Sequence, residues 1–174
     1  MKKFLLMIVV ALTTLTANAQ FYVGGELGVW HDTDADQTAF TIAPGLGYEF
    51  NEKWAAGGEL KFGMITDTYT QFAIAPYARW SFFHSDRVKL FLDMGFGFQV
   101  TDFDKAYDRD GDDSVTGFQI GVKPGIAFKL NDHFSVLAKV GFLGYDNQYS
   151  DLDGEGLGLL VNGENLSFGI EYTF

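Results

Sequence analysis

The chain has no cysteine, only three prolines and few basic residues. Without thiols it can form no disulfide, no thiolate metal site and no cysteine nucleophile. Twelve Lys and Arg stand against 23 Asp and Glu, so the formal net charge is −11. Such an acidic chain is a poor candidate for binding nucleic acid, and we expect no nucleic-acid partner. No stretch approaches 18 uninterrupted apolar residues, so the sequence predicts no membrane-spanning helix.

The N-terminus has the pattern of an export signal. Lys2 and Lys3 precede a short apolar run at residues 4–12, and Ala17-Asn18-Ala19 then offers a small-residue cleavage site. This pattern predicts a secretory signal peptide over residues 1–19. An N-terminal membrane helix is the alternative, but the run is too short to cross a bilayer. We therefore expect one exported domain over residues 20–174.

Large and small residues alternate in steps of two along a hairpin at residues 40–64. In FTIAPGLGYEF and WAAGGELKFGM one parity is large and apolar, and the other is mostly Gly and Ala with a few charges. Period-two alternation predicts strands with two different faces. The hairpin recurs at residues 123–134 and more loosely at 75–87, each time with a proline. Because proline donates no ladder hydrogen bond, we expect an irregularity at Pro44, Pro76 and Pro124.

The pattern predicts an all-β protein, an eight-stranded antiparallel up-and-down transmembrane β-barrel. Three short turns alternate with four longer loops, at about 31–38, 66–70, 102–114 and 146–160, as in outer-membrane barrels. A soluble periplasmic carrier barrel is the alternative, but its outer face would be hydrated. The large apolar face of these segments suits lipid instead. The predicted strands are 21–30, 39–50, 54–65, 71–83, 88–101, 115–130, 134–145 and 161–174.

Charges on the small-residue face are balanced, whereas 14 of the 23 acidic residues fall in the predicted long loops. Charges in a narrow, poorly hydrated barrel must be paired. Eight strands leave a lumen that side chains just fill, so we expect a packed polar interior without an open pore. The predicted interior ion-pair network consists of Glu26, Glu49, Glu59, Lys61, Arg79, Asp93, Lys123, Lys139 and Glu171.

Aromatic residues cluster at the ends of the predicted strands, as in the interfacial girdles of membrane barrels. One girdle is expected at the long-loop end, from Trp30, Phe40, Tyr69, Phe72, Phe103, Phe118 and Tyr145. The other is expected at the short-turn end, from Tyr22, Tyr48, Phe50, Trp54, Trp80, Phe82, Phe128, Phe134, Tyr172 and Phe174.

The final segment, LSFGIEYTF, alternates up to Phe174 and resembles the C-terminal strand that the outer-membrane assembly machinery recognises. With the signal peptide and eight strands, the chain resembles the small outer-membrane barrels of the OmpX and opacity-protein type and the membrane domain of OmpA. The resemblance implies a place in the outer membrane of a Gram-negative-type cell. It also implies contact with membrane lipid and lipopolysaccharide, and recognition by the assembly machinery through the strand that ends at Phe174. We expect a monomer.

Two predicted loops carry acidic strings with the spacing of a calcium loop. Oxygen ligands around a glycine turn suit a hard cation such as Ca²⁺, and the candidate ligands are Asp108, Asp110, Asp112, Asp151 and Asp153. The strings lack the downstream bidentate Glu and the flanking helices of an EF-hand. The alternative is an acidic, solvated outward loop without a ligand. No other cofactor is expected.

No catalytic constellation stands out in the sequence. Some small outer-membrane barrels modify lipid with a His, a Ser and an acidic residue. Here His84 and His133 fall in short turns, and no Ser stands out as a partner for His31. We therefore expect a protein that is not an enzyme, with a structural or surface-interaction role of an adhesion-like kind. A lipid-modifying barrel enzyme, a soluble periplasmic carrier and a small pore are the alternatives.

Overall fold

The computed structural model describes residues 20–32, 37–65, 69–103, 114–149, 155–160 and 166–174. Regular structure in these residues consists of strands that pair antiparallel, and among them no helix is long and apolar enough to span a membrane. The strands are β1 (Gln20–Asp32), β2 (Gln37–Glu49), β3 (Trp54–Ile65), β4 (Tyr69–His84), β5 (Val88–Phe103), β6 (Ser114–Lys129), β7 (Phe134–Val140), β8 (Phe142–Asn147), β9 (Glu155–Leu160) and β10 (Leu166–Thr173).

Eight of these strands close into a ring. Each of β1 to β6 pairs with the next, and β10 pairs with both β7 and β1. The strand β8 continues β7 along β6, and β9 pairs with β8. The eight-stranded antiparallel barrel expected from the sequence is confirmed.

The seventh predicted strand is divided, which corrects the prediction. The predicted strand 134–145 is two strands separated at Gly141, whose φ of 72° lies in the left-handed region. Pairing with β6 shifts by one residue there, as at a β-bulge. The predicted loop 146–160 is wrong at both ends, because Asp146 belongs to β8 and is buried and β9 occupies Glu155–Leu160.

Each proline interrupts one of the two ladders of its strand. The β2–β3 pairing is broken at Pro44 and the β4–β5 pairing at Pro76, and in both the register resumes unchanged. At Pro124, the pairing of β6 passes from β7 to β8 with the one-residue shift. On its other side each proline pairs regularly. The expected irregularities are confirmed, although only the one at Pro124 shifts the register.

Two of the three short turns are built by the same side-chain contact. The Asn51 side-chain oxygen accepts hydrogen bonds from the backbone N–H groups of Lys53 and Trp54, at 2.9 and 3.0 Å. The Asn131 oxygen accepts them from His133 and Phe134, at 2.9 and 2.8 Å. An Asn that bonds to its own backbone two and three residues on forms a compact turn. The two repeats seen in the sequence therefore have the same local structure.

The two faces of the wall differ as their residues predict. Large apolar side chains such as Phe98, Phe168 and Ile170 are more than half exposed on the outside. Charged and amide side chains are buried on the inside, together with Phe91 and Thr101, which are fully buried. Outside a membrane, so wide an apolar surface would be unfavourable. The outer face is therefore suited to lipid.

Aromatic side chains contact one another along the short-turn end. The contacts run through Phe21, Tyr48 and Phe50, through Trp54, Trp80 and Phe82, and through Phe134, Tyr172 and Phe174. The assignment of Tyr22 to this girdle is wrong. It shares the inward parity of Glu26, its side chain is 2 % exposed, and its hydroxyl lies 2.9 Å from that of Tyr77. The side chains of Trp30, Tyr69 and Phe103 lie outside the described part.

Candidate functional site

The interior of the barrel is the candidate functional site, because charged side chains from all eight wall strands meet there. Their strands place them inward by parity, opposite the lipid-facing residues. The structure brings most members of the predicted network together in two clusters, one around Arg79 and one around Lys139.

Arg79 holds two carboxylates at once. Its Nε and Nη2 donate to the two oxygens of Asp93, at 2.7 and 3.1 Å, and its Nη1 donates to Glu171 Oε2 at 2.9 Å. The guanidinium carbon lies 4.1 Å from the centre of the Phe91 ring and 5.3 Å from that of Tyr77. The planar guanidinium of Arg is suited to a bidentate contact with a carboxylate and to stacking on an aromatic ring, whereas the ammonium of Lys is not.

Lys139 is the centre of the second cluster. Its Nζ lies 2.7 Å from Glu26 Oε1 and 3.3 Å from Asp93 Oδ2, and it also donates to Glu59 Oε1. The side chain is 7 % exposed. A lysine so deeply buried stays charged only where several acceptors surround it, and this one has three. Asp93 connects the two clusters because it contacts both cations.

Two of these ion pairs cross the lumen along a diameter. Arg79 on β4 and Glu171 on β10 are four strands apart in either direction around the ring, and so are Lys139 on β7 and Glu59 on β3. These two ion pairs therefore join opposite walls of the barrel.

Some interior residues were missed by sequence reasoning or differ from their predicted role. Lys89, which pairs with Glu49 at 2.5 Å, was not placed in the predicted network although its parity is inward. Lys61 and Lys123 form no ion pair within the described part of the chain; both ammonium groups lie about 6 Å from the Tyr149 ring. Tyr149 was assigned to a loop, and the direction of a loop side chain follows no periodicity in the sequence.

The candidate calcium ligands, Asp108, Asp110, Asp112, Asp151 and Asp153, lie outside the described residues. Within the described ranges no group of three or more His, Asp or Glu side chains is arranged to hold a metal ion. His84 lies in reach of Glu52 at 3.3 Å, and the His133 ring stacks on Tyr172. Both side chains are exposed. His133 lies in a short turn, as expected, whereas the placement of His84 in a turn is wrong, because it is the last residue of β4. The side chain of His31 is outside the described part.

Comparison with known proteins agrees with this architecture. Residues 4–174 match the family model described as outer membrane protein beta-barrel domain. No curated protein sequence matches the chain. The N-terminal β-barrel domain of Pseudomonas aeruginosa OprF is similar in structure, with a TM-score of 0.58 at 12% identity over 90% of this chain and 98% of that one.

Two further structures give lower scores. Ail, the attachment invasion locus protein of Yersinia pestis, has a TM-score of 0.46 at 19% identity over 90% of this chain and 97% of that one. A de novo designed transmembrane β-barrel has a TM-score of 0.44 at 11% identity over 91% of this chain and 98% of that one. The family model spans nearly the whole sequence, and the chain belongs to the outer-membrane β-barrel domain family.

Proposed function

We propose that the protein is a non-catalytic barrel of the outer membrane of a Gram-negative-type cell, with a packed, ion-paired interior and outward acidic loops that take part in surface interaction. The family and the lipid-suited outer face support this location. The observation that carries the proposal is the pair of contacts across the lumen, Arg79 with Glu171 and Lys139 with Glu59. A barrel whose opposite walls are joined in this way supports loops and does not conduct ions.

Planar bilayers test the packed interior. The purified protein should give no steady ionic current, because the two crossing ion pairs and the side chains around them fill the lumen. The variant Lys53→Gln, which changes a charge on an exposed turn, is the matched control and should behave in the same way. Stable unitary currents from the wild-type protein would show that the molecule is a pore.

Cell fractionation and gel mobility test the location. The protein should remain with the outer membrane after osmotic shock, and it should migrate anomalously on a gel until it is boiled, as folded barrels do. Release in soluble form without detergent would support a periplasmic carrier instead. The same fractions from a variant that lacks Phe174 test whether the C-terminal strand is needed for assembly, since its ring is exposed and stacks only on Tyr172 among the described residues.

The surface role rests on the charge of the predicted outward loops. We propose that Asp108, Asp110, Asp112, Asp151 and Asp153 either hold Ca²⁺ or present an acidic surface to an external partner. Calorimetric titration of the detergent-solubilised protein with Ca²⁺, with the five Asp→Asn variant as control, separates the two. Adhesion of cells that carry the wild-type or variant protein to a basic surface then measures the contribution of the loop charge. Equal adhesion would contradict the surface role.

A lipid-modifying enzyme is the alternative activity. Purified protein in detergent should release no product from lipid A or phospholipid, because the two histidines whose side chains are described, His84 and His133, are exposed at the short-turn end. Activity that is present in the wild type and lost in His31→Ala would overturn the non-catalytic proposal.

A further inference from the structure

The short turns hold the wall one residue beyond its last paired strand residues. In each of them the carbonyl of the last turn residue accepts a hydrogen bond of 2.8 Å from a backbone N–H of the next strand: Lys53 from Ser81, Arg87 from Lys129, and His133 from Thr173. The last regular pair of each ladder is the one directly before this bond. Each ladder therefore ends on a turn residue.

His133 adds its side chain to this main-chain bond. Its Nδ1 lies 2.9 Å from the carbonyl oxygen of Thr173, the same residue whose N–H its own carbonyl accepts. A carbonyl oxygen can only accept, so the ring donates from Nδ1, and the neutral imidazole carries its proton there. The ring also stacks on that of Tyr172, with the ring centres 5.4 Å apart and the planes at 20°. His133 thus holds two successive residues at the end of β10.

The other two turns lack this second bond. In the part of the chain that the structure describes, neither the Lys53 nor the Arg87 side chain bonds to the strand residue whose N–H its carbonyl accepts. The main-chain bond is therefore a common property of the short turns. The side-chain bond distinguishes the turn between β6 and β7.

The β6–β7 turn orders the histidine before the contact with β10 forms. The side-chain oxygen of Asn131 accepts hydrogen bonds from the N–H groups of His133 and Phe134, at 2.9 and 2.8 Å, and so fixes the backbone that carries the ring. A group that is ordered in advance loses less conformational entropy when it binds. The ring contact therefore stabilises the end of β10 more than the same contact from a mobile loop would.

We propose that His133 is a latch that keeps the end of β10 paired, so that the seam between β7 and β10 opens from this end when the ring is removed. The ends of a ladder open more readily than its middle. The latch acts two residues from Glu171, whose carboxylate contacts Arg79 across the lumen at 2.9 Å. It therefore also holds in place the strand that carries this contact. The latch goes beyond the proposed surface role and depends only on the fold of the barrel.

Amide hydrogen exchange, followed by NMR of the barrel in detergent micelles, measures opening of the seam. The Thr173 amide reports the latched end, and the Ser81 amide, bonded to the Lys53 carbonyl, reports the matched turn without a latch. In His133→Ala the Thr173 amide should exchange at least about fivefold faster, and the Ser81 amide should not change. The control Lys53→Ala should change neither rate by more than about twofold. An unchanged Thr173 rate in His133→Ala overturns the proposal.

A second variant and the ring itself test the hydrogen bond apart from the stack. His133→Phe keeps an aromatic ring against Tyr172 but cannot donate, so the Thr173 amide should exchange at least about threefold faster than in the wild type. A wild-type rate in this variant would show that Nδ1 does not hold the strand. The nitrogen-15 shifts of the neutral His133 ring should place its proton on Nδ1, and a proton on Nε2 would contradict the bond to Thr173.

The asparagines of the two matched turns separate the latch from general loosening of the barrel. Asn131→Ala removes the contacts that order His133 and should speed exchange of the Thr173 amide, whereas Asn51→Ala makes the same change in the turn without a latch and should not. Gel mobility of unboiled samples shows that each variant is folded. Equal acceleration of Thr173 exchange in the two variants would mean that the whole barrel opens, and the latch would be wrong.

Discussion

Replacing Arg79 with Gln should be one of the most destabilising polar changes in the barrel. The Arg79 side chain is 3 % exposed and binds Asp93 and Glu171, which are 4 and 7 % exposed. Without it, two buried carboxylates face each other with a neutral amide between them. Removing one partner of a buried ion pair costs about 3–5 kcal/mol. Asp93 keeps its contact with Lys139 at 3.3 Å, so we expect a loss near about 3 kcal/mol.

Urea unfolding of the barrel in lipid vesicles measures this loss, followed by tryptophan fluorescence and by gel mobility of unboiled samples. The single variants Arg79→Gln and Glu171→Gln and their combination form a double-mutant cycle. Because Gln at position 171 removes a charge that Arg79→Gln leaves unpaired, the combined loss should be smaller than the sum by about 1–3 kcal/mol. Lys53→Gln, on an exposed turn, should change the free energy of unfolding by less than about 0.5 kcal/mol. An additive cycle, or a loss below about 1 kcal/mol for Arg79→Gln, would refute the reasoning.

Three further changes test the packing and the two faces in the same urea assay. Gly125→Ala places a Cβ against the buried Phe91 ring and should lower the free energy of unfolding by about 1–3 kcal/mol. In the control Gly158→Ala the added Cβ meets nothing within 4 Å, so the loss should be small. Equal losses in the two variants would contradict this packing. Phe98→Arg puts a charge on the lipid face and should lower the free energy of unfolding in vesicles by about 2–4 kcal/mol. An unchanged free energy of unfolding would show that Phe98 does not face lipid. Gly141→Ala forces an L-residue into a φ of 72° and should cost about 1–2 kcal/mol; an unchanged free energy of unfolding would contradict the strained backbone at this position.

The fold was predictable because its two faces differ in a property that a sequence displays directly. A strand such as β5 places Phe96 and Phe98 on one parity and Gly97 and Gln99 on the other. Side chains of one parity share one face whatever the register, so the large apolar set indicates the outer face. The location of the interior charges follows from the same alternation.

The partners of the interior charges were not predictable, because they depend on register and curvature. Arg79 and Asp93 are directly opposed on neighbouring strands, a pairing that follows once the turn between β4 and β5 is known. The contact of Arg79 with Glu171 requires the ring to close, since it joins residues 92 positions apart in the sequence. No local pattern carries that information.

The ladder of β7 with β10 and the ladder of β8 with β9 are out of register with each other. Val140 of β7 pairs with Leu166 of β10, and Phe142 of β8, two residues further on, pairs with Leu160 of β9. The partner residue therefore changes by six positions, whereas in an unbroken ladder it would change by two. Among the described residues β9 is therefore out of step with β10, and β1 pairs with β10. In the half where β10 pairs with both of its neighbours, Arg79 joins the opposite walls, and so does Lys139. The lysines without an ion pair within the described residues, Lys61 and Lys123, lie in the half whose ladder is broken. The contacts that join opposite walls thus form at the level where the described ladders close the ring.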